Sequence, residues 1–145
     1  MSPLLVALVL YLVALASTVA YALLKGGAEE RSGAITILVA ALLTQVVAVV
    51  GPGGTMEPGW FGPEIGVMVT DAAVFIAFVA IAYRSTKFWP IWAAASQLVA
   101  VLTHLAVIID PSMVPMVYTT AQPFWAIPVI AALGLGTRAH QRSLR

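Results

Sequence analysis

The sequence contains no cysteine, and only 9% of its 145 residues are charged. Without cysteine, the chain has no disulfide, no thiolate metal ligand and no thiol nucleophile. Its two histidines are too few for a usual zinc site within one chain, so no metal site is predicted. A formal net charge of +1 gives no strongly basic surface, which argues against nucleic acid as a partner.

Motifs of the common enzyme classes are also missing. The sequence has no Walker loop, no dinucleotide fingerprint, no G-x-S-x-G turn and no H-E-x-x-H pair. Ser96 has no base and acid placed to complete a hydrolase triad. The sequence therefore favours a protein without enzymatic activity, and it identifies no cofactor.

Apolar residues, in contrast, make up 61% of the chain, and the mean hydropathy is +1.01. This is more apolar surface than a soluble domain of this size can bury, so lipid must be the solvent for much of it. The runs predict an all-α integral membrane bundle, one domain over residues 1–145 with five transmembrane helices. These cover about residues 3–24, 34–50, 65–83, 90–109 and 114–136. The fifth includes Pro123 and Pro128 and is therefore predicted to be kinked.

The distribution of basic residues predicts the orientation of this bundle. With five spans, all seven lysines and arginines lie on one side: Lys25, Arg31, Arg84, Lys87, Arg138, Arg142 and Arg145. The connections 51–64 and 110–113 contain neither lysine nor arginine. Cytoplasmic segments retain basic residues, so the N-terminus is predicted outside and the C-terminus in the cytoplasm, in a bacterial inner membrane.

Three surface assignments follow from this topology. Glu29 and Glu30, beside Arg31, are expected in a solvated loop between the first two spans. Trp60 and Trp89 are expected as aromatic anchors at opposite membrane interfaces.

The sequence also contains an internal similarity. Residues 44–52 read T-Q-V-V-A-V-V-G-P and residues 103–111 read T-H-L-A-V-I-I-D-P. The pattern A-Y-x-x-x-K precedes each, at residues 20–25 and 82–87. Helices 1–2 and 3–4 are therefore predicted to be parallel repeats, related by an axis along the membrane normal.

Polar side chains in the predicted spans are expected to form one layer. Counted inward at 1.5 Å per residue, Gln45, Asp71 and His104 lie about 9 Å below the outer boundary, and Gln122 lies near that level. Gln97 precedes His104 by seven residues and shares its helix face. A carboxylate facing lipid costs several kcal/mol, so Asp71 should meet His104 or Gln45 inside the bundle.

These five residues, Asp71, His104, Gln45, Gln122 and Gln97, form the candidate intramembrane site. They could conduct protons or bind a polar head group, or they could simply hold helices together at ~0.6 to 2 kcal/mol per hydrogen bond. Three functions stay open, in this order: an accessory or assembly subunit of a larger membrane complex, a small proton-coupled transporter, and a binder of a quinone, isoprenoid or tetrapyrrole. The expected partners are the lipid bilayer and either other membrane subunits or further copies of the chain.

Overall fold

The structure is a computed structural model, and it describes residues 3–50, 65–110 and 124–145. These residues form five helices and no strand. The helices are α1 (Pro3–Lys25), α2 (Ala28–Val50), α3 (Ile65–Arg84), α4 (Trp89–Ile109) and α5 (Ala126–Ser143). Four of them, α1 to α4, are long and apolar enough to cross a membrane. The chain is therefore an all-helical protein with the character of an integral membrane protein.

Helix ends follow local sequence signals. Gly26 and Gly27 separate α1 from α2, and the Glu30 carboxylate accepts a hydrogen bond from the Gly27 amide, as in a capping box. Pro90 lies in the first turn of α4, where a missing amide hydrogen costs little. Asp110 caps the other end of α4 by donating its amide to the Ala106 carbonyl. Predicted and observed ends agree to within one residue for α1, α3 and α4.

The second helix differs from its predicted extent. It begins at Ala28, six residues before the predicted start at residue 34, so Glu29 and Glu30 belong to its first turn. The expectation of a solvated loop at these residues was wrong. The positive end of the helix dipole stabilises acidic side chains in a first turn, which lets a membrane helix begin with two glutamates.

The fifth helix is described only in part. Residues 111–123, including Pro123, lie outside the described residues, so the predicted start of the fifth span is untested. Phe124 is helical, Trp125 forms a turn, and α5 follows. A proline ring clashes with the carbonyl four residues earlier, which accounts for a break just before Pro128. The helix α5 is not among the four membrane-crossing candidates, and a fifth span remains a prediction.

The five helices pack as a ring in the order α1, α2, α3, α4, α5 and back to α1, and α2 also contacts α5 across the ring. Buried residues from all five helices form the core, chiefly Val19, Ala22, Ala34, Ile37, Val74, Phe78, Trp89, Ala93, Val129 and Leu133. The alanines allow helix backbones to approach closely, as is typical of membrane bundles. Large apolar side chains cover the outer surface, among them Leu10, Leu42, Ile76 and Leu102.

Contacts between helices bring the basic residues to one end of the ring. Gln141 of α5 donates a hydrogen bond to the Lys25 carbonyl at the end of α1. Lys87, just before α4, forms ion pairs with Glu29 and Glu30 at the start of α2. We call this the basic end. Its orientation toward the cytoplasm remains a prediction from charge.

Candidate intramembrane polar site

Asp71 of α3 lies against two polar side chains of α4. His104 Nε2 is 3.0 Å from Asp71 Oδ2, and Gln97 Nε2 donates a hydrogen bond of 2.8 Å to Asp71 Oδ1. We call these three residues the polar triad. Because Gln97 and His104 are seven residues apart, they lie two turns apart on one face of α4 and reach the two oxygens of one carboxylate.

The triad is enclosed by protein. The side chain of His104 is 0% exposed and that of Asp71 is 19% exposed, and Gln97 is buried. Each carboxylate oxygen of Asp71 thus has a hydrogen-bond partner, as a carboxylate inside a membrane bundle requires. The sequence-based expectation that Asp71 meets His104 inside the bundle agrees with this contact.

One proton lies in the contact between His104 and Asp71. An ionised carboxylate can only accept, so His104 Nε2 then carries the hydrogen; if the carboxyl is protonated, the same ring nitrogen accepts. A second proton converts the neutral imidazole to imidazolium without breaking the contact. The pair can therefore hold one or two protons in the same geometry, a property that hydrogen-bonding glutamines alone do not have.

The other predicted site residues are not part of this triad. Gln45 has an exposed side chain on α2, although it was predicted at the same depth. A count along the helix does not determine which way a side chain points, and the predicted depth of Gln45 stays a prediction. Gln122 lies outside the described residues.

A second polar cluster, which the sequence interpretation missed, lies at the basic end. The Glu30 side chain is completely buried and accepts hydrogen bonds from Lys87 Nζ at 2.8 Å and from Trp89 Nε1 at 2.9 Å. Lys87 Nζ also lies 2.9 Å from a Glu29 oxygen. The cluster joins α2 to the start of α4. Glu30 three residues after Gly27 is the capping-box spacing, and that signal could have identified the residue.

Trp89 is correspondingly a core residue. It is 5% exposed, meets Phe78 edge to face with ring centroids 6.3 Å apart, and lies between Gly33 of α2 and Gly136 of α5. Its assignment as an interfacial anchor was wrong, because Glu30 provides an acceptor for the indole nitrogen inside the bundle. Trp60, the other predicted anchor, lies outside the described residues.

The ion pairs change the titration of Lys87, which lies between the spans. Burial lowers its pKa, but the hydrogen bonds and negative charges of Glu30 and Glu29 outweigh burial, so the pKa is raised. Because the pKa of Lys87 is raised in the folded state, its ion pairs stabilise the fold fully at any pH below the ordinary lysine pKa. It is lost only as the pH rises through the raised value, so these ion pairs persist across the physiological range.

Neither cluster has the composition of a metal site. Within the described ranges, no three histidine or acidic side chains come together in a way that could hold a metal ion. The triad has two such groups, and the basic-end cluster pairs its glutamates with a lysine.

Comparisons of this chain with models of known protein families, with curated proteins and with solved structures found no match. The function is therefore argued from the two clusters and the surface of the bundle.

Proposed function

We propose that this protein is a small proton-coupled membrane transporter and that the polar triad is its proton-binding site. The observation that carries the proposal is the contact of 3.0 Å between His104 and Asp71, two ionisable groups on neighbouring helices inside an apolar bundle. Ionisable residues are expensive within a membrane and commonly belong to ion and proton pathways.

The division of roles within the triad supports proton exchange. Gln97 holds one carboxylate oxygen and leaves the other to His104, so the carboxylate keeps its orientation while the proton count changes. Asp71 is the more exposed of the two ionisable side chains, at 19% against 0% for His104, so we propose that the proton enters through Asp71.

Protonation can also change how the helices pack. His104 and Gln97 belong to α4 and Asp71 belongs to α3, so the contact strength between these helices depends on the charge of the pair. A proton that binds one arrangement of α3 and α4 better than another shifts the population toward it. This is the coupling that a proton-driven carrier needs.

Proton flux into proteoliposomes tests the function. Vesicles with an entrapped pH dye and an outward potassium gradient would be treated with valinomycin, which makes the interior negative. We expect faster acidification with the wild-type protein than with Asp71→Asn or with protein-free vesicles. Gln45→Ala is the matched control, because Gln45 is an exposed polar residue on α2 outside the triad. Equal rates for wild type and Asp71→Asn contradict the proposal.

Nitrogen-15 NMR of the imidazole rings gives a second readout that needs no substrate. The chain has two histidines, so the His140→Gln variant leaves His104 as the one ring to observe. The proposal expects the His104 signals to respond to pH in the wild type and to respond differently in Asp71→Asn. Signals that do not change with pH in the folded protein indicate a purely structural triad.

A further inference from the structure

A groove with a volume of about 680 Å³ runs between α4 and α5 on the outside of the bundle. Its walls are almost entirely apolar and include Phe88, which precedes α4, Trp92 of α4, and Pro128 and Leu135 of α5. Phe88 and Trp92 are more than half exposed, at 74% and 64%. Neither the polar triad nor the Glu30 cluster accounts for this surface.

The length of the groove matches one leaflet of a bilayer. From Ser143 at the basic end to Pro128, the lining residues of α5 extend over fifteen positions, or about 22 Å. One leaflet with its head groups is about 20 to 22 Å thick, half of a bilayer of about 40 to 45 Å. A lipid that extends from the basic end toward the membrane centre would therefore lie along the whole groove.

The width of the groove favours a lipid chain over a helix. Spread over this length, the volume corresponds to a cross-section of about 30 Å², less than half that of a bare helix cylinder ~10 Å in diameter. A neighbouring transmembrane helix would also need about 20 residues of contact to span the membrane, more than the groove provides.

Two arginines lie beside the basic end of the groove. His140 and Lys87 line it there, although Lys87 is neutralised by its glutamate partners. Neither Arg138 nor Arg142 lines the groove, but each follows a lining residue, Ala131 or Leu135, by seven positions, which puts both arginines along one edge of the groove. Both arginines are exposed. Arginine binds phosphate in a forked geometry, so these two side chains suit an anionic head group.

We propose that the groove binds an acyl chain of an anionic phospholipid, with the lipid phosphate held by Arg138 and Arg142. This site lies at the basic end and is independent of the proposed proton-binding function, which depends on residues of α3 and α4. The acyl chain would fill the space between α4 and α5 and cover the exposed side chains of Phe88 and Trp92.

Lipid titration in detergent, read by native mass spectrometry, tests the head-group contact. Phosphatidylglycerol should bind more tightly than phosphatidylcholine, and Arg138→Gln/Arg142→Gln should weaken phosphatidylglycerol binding by about 30-fold. Arg31→Gln/Arg84→Gln is the matched control, since it removes two exposed arginines from the same end but away from the groove. We expect this control to bind as the wild type does.

Filling the groove tests the acyl-chain contact. Ala131 lines the groove and Ala95 is exposed on α4 outside it. Ala131→Trp should reduce the phosphatidylglycerol bound, whereas Ala95→Trp should not. The proposal is overturned if both lipids bind equally, if the arginine control loses binding as much as the test variant, or if a second protein chain occupies this face. Thermal unfolding of each variant verifies that it is folded.

Discussion

At the scale of single residues, the buried ionisable groups are the features that most depend on their partners. Asp71 and His104 share one contact far from the basic end along α3 and α4, and Glu30 and Lys87 share another at the basic end. In each pair one member, His104 or Glu30, is fully buried and would lose its partner inside the bundle. Removing one member of such a pair therefore costs more than the pair contributes.

A double-mutant cycle on the triad follows from this reasoning. Asp71→Ala and His104→Ala should each lower the free energy of unfolding by about 3 to 5 kcal/mol, because each leaves the other uncompensated. The double variant should lose less than the sum, with a coupling of about 0.5 to 3 kcal/mol. Reversible unfolding in mixed detergent micelles measures the free energy of unfolding of the two single variants and of the double variant. Strict additivity would mean that the two side chains do not interact, and Gln45→Ala serves as the neutral comparison.

At the scale of the helices, the contact of α2, α4 and α5 depends on two glycines. A Cβ at Gly33 would lie 2.5 Å from Trp89 Cη2, and a Cβ at Gly136 would overlap the pyrrole side of the same indole. The Trp89 ring therefore fills a slot between α2 and α5 and donates to Glu30 from within it. Because Gly33 and Gly136 have no side chain, α2 and α5 can approach the Trp89 ring closely.

Alanine substitutions in these helices test the slot. Gly136→Ala and Gly33→Ala should each destabilise the protein by about 1 to 3 kcal/mol, because the indole must move and weaken its bond to Glu30. Gly134→Ala is the control: its Cβ would meet Thr18 at 3.5 Å, an ordinary contact, and alanine favours a helix. Thermal unfolding and the indole NMR signal of Trp89 would be compared. If the Gly136→Ala protein were as stable as Gly134→Ala, the close packing of Trp89 against Gly136 would be contradicted.

The internal similarity between the two helical hairpins does not predict the environment of matching residues. The matching positions Gln45 and His104 differ in environment, since the first is exposed and the second is buried. Lys87 is partly buried and forms ion pairs, while Lys25 at the corresponding place is exposed. The parallel repeat stays a prediction.

At the scale of the whole molecule, the separation of charge determines the expected orientation. Every lysine and arginine belongs to the basic end or the segments that lead to it, and the groove reaches this end beside Arg138 and Arg142. Cytoplasmic lysines and arginines are retained during insertion, and anionic lipids of the cytoplasmic leaflet attract them.

Topology reporters test this orientation. A reporter fused after Arg145 should be active only in the cytoplasm, and one inserted at Gly54 only outside, because residues 51–64 carry no basic residue. A reporter accepted in the cytoplasm at Gly54 would reverse the orientation. If instead the Arg145 fusion alone were found outside, the chain would have four spans.

Much of the helical architecture could be predicted from composition and periodicity, because apolar runs of membrane length can form little besides a helix in lipid. The start of α2 was misplaced because Glu29, Glu30 and Arg31 read as polar solvent-exposed residues. Only the partners Lys87 and Trp89, more than fifty residues away, make a buried glutamate acceptable there.

The sequence by itself predicted a membrane protein, the approximate extent of four helices, the end that carries the positive charge, and a common level for Asp71 and His104. The tertiary structure decided which side chains meet. Helix rotation about its own axis is set by packing against neighbours, so Gln97 joined the triad while Gln45 remained exposed. It also created the slot for Trp89 and the groove beside α5, because both arise where helices distant in sequence come together and neither is encoded in any one segment.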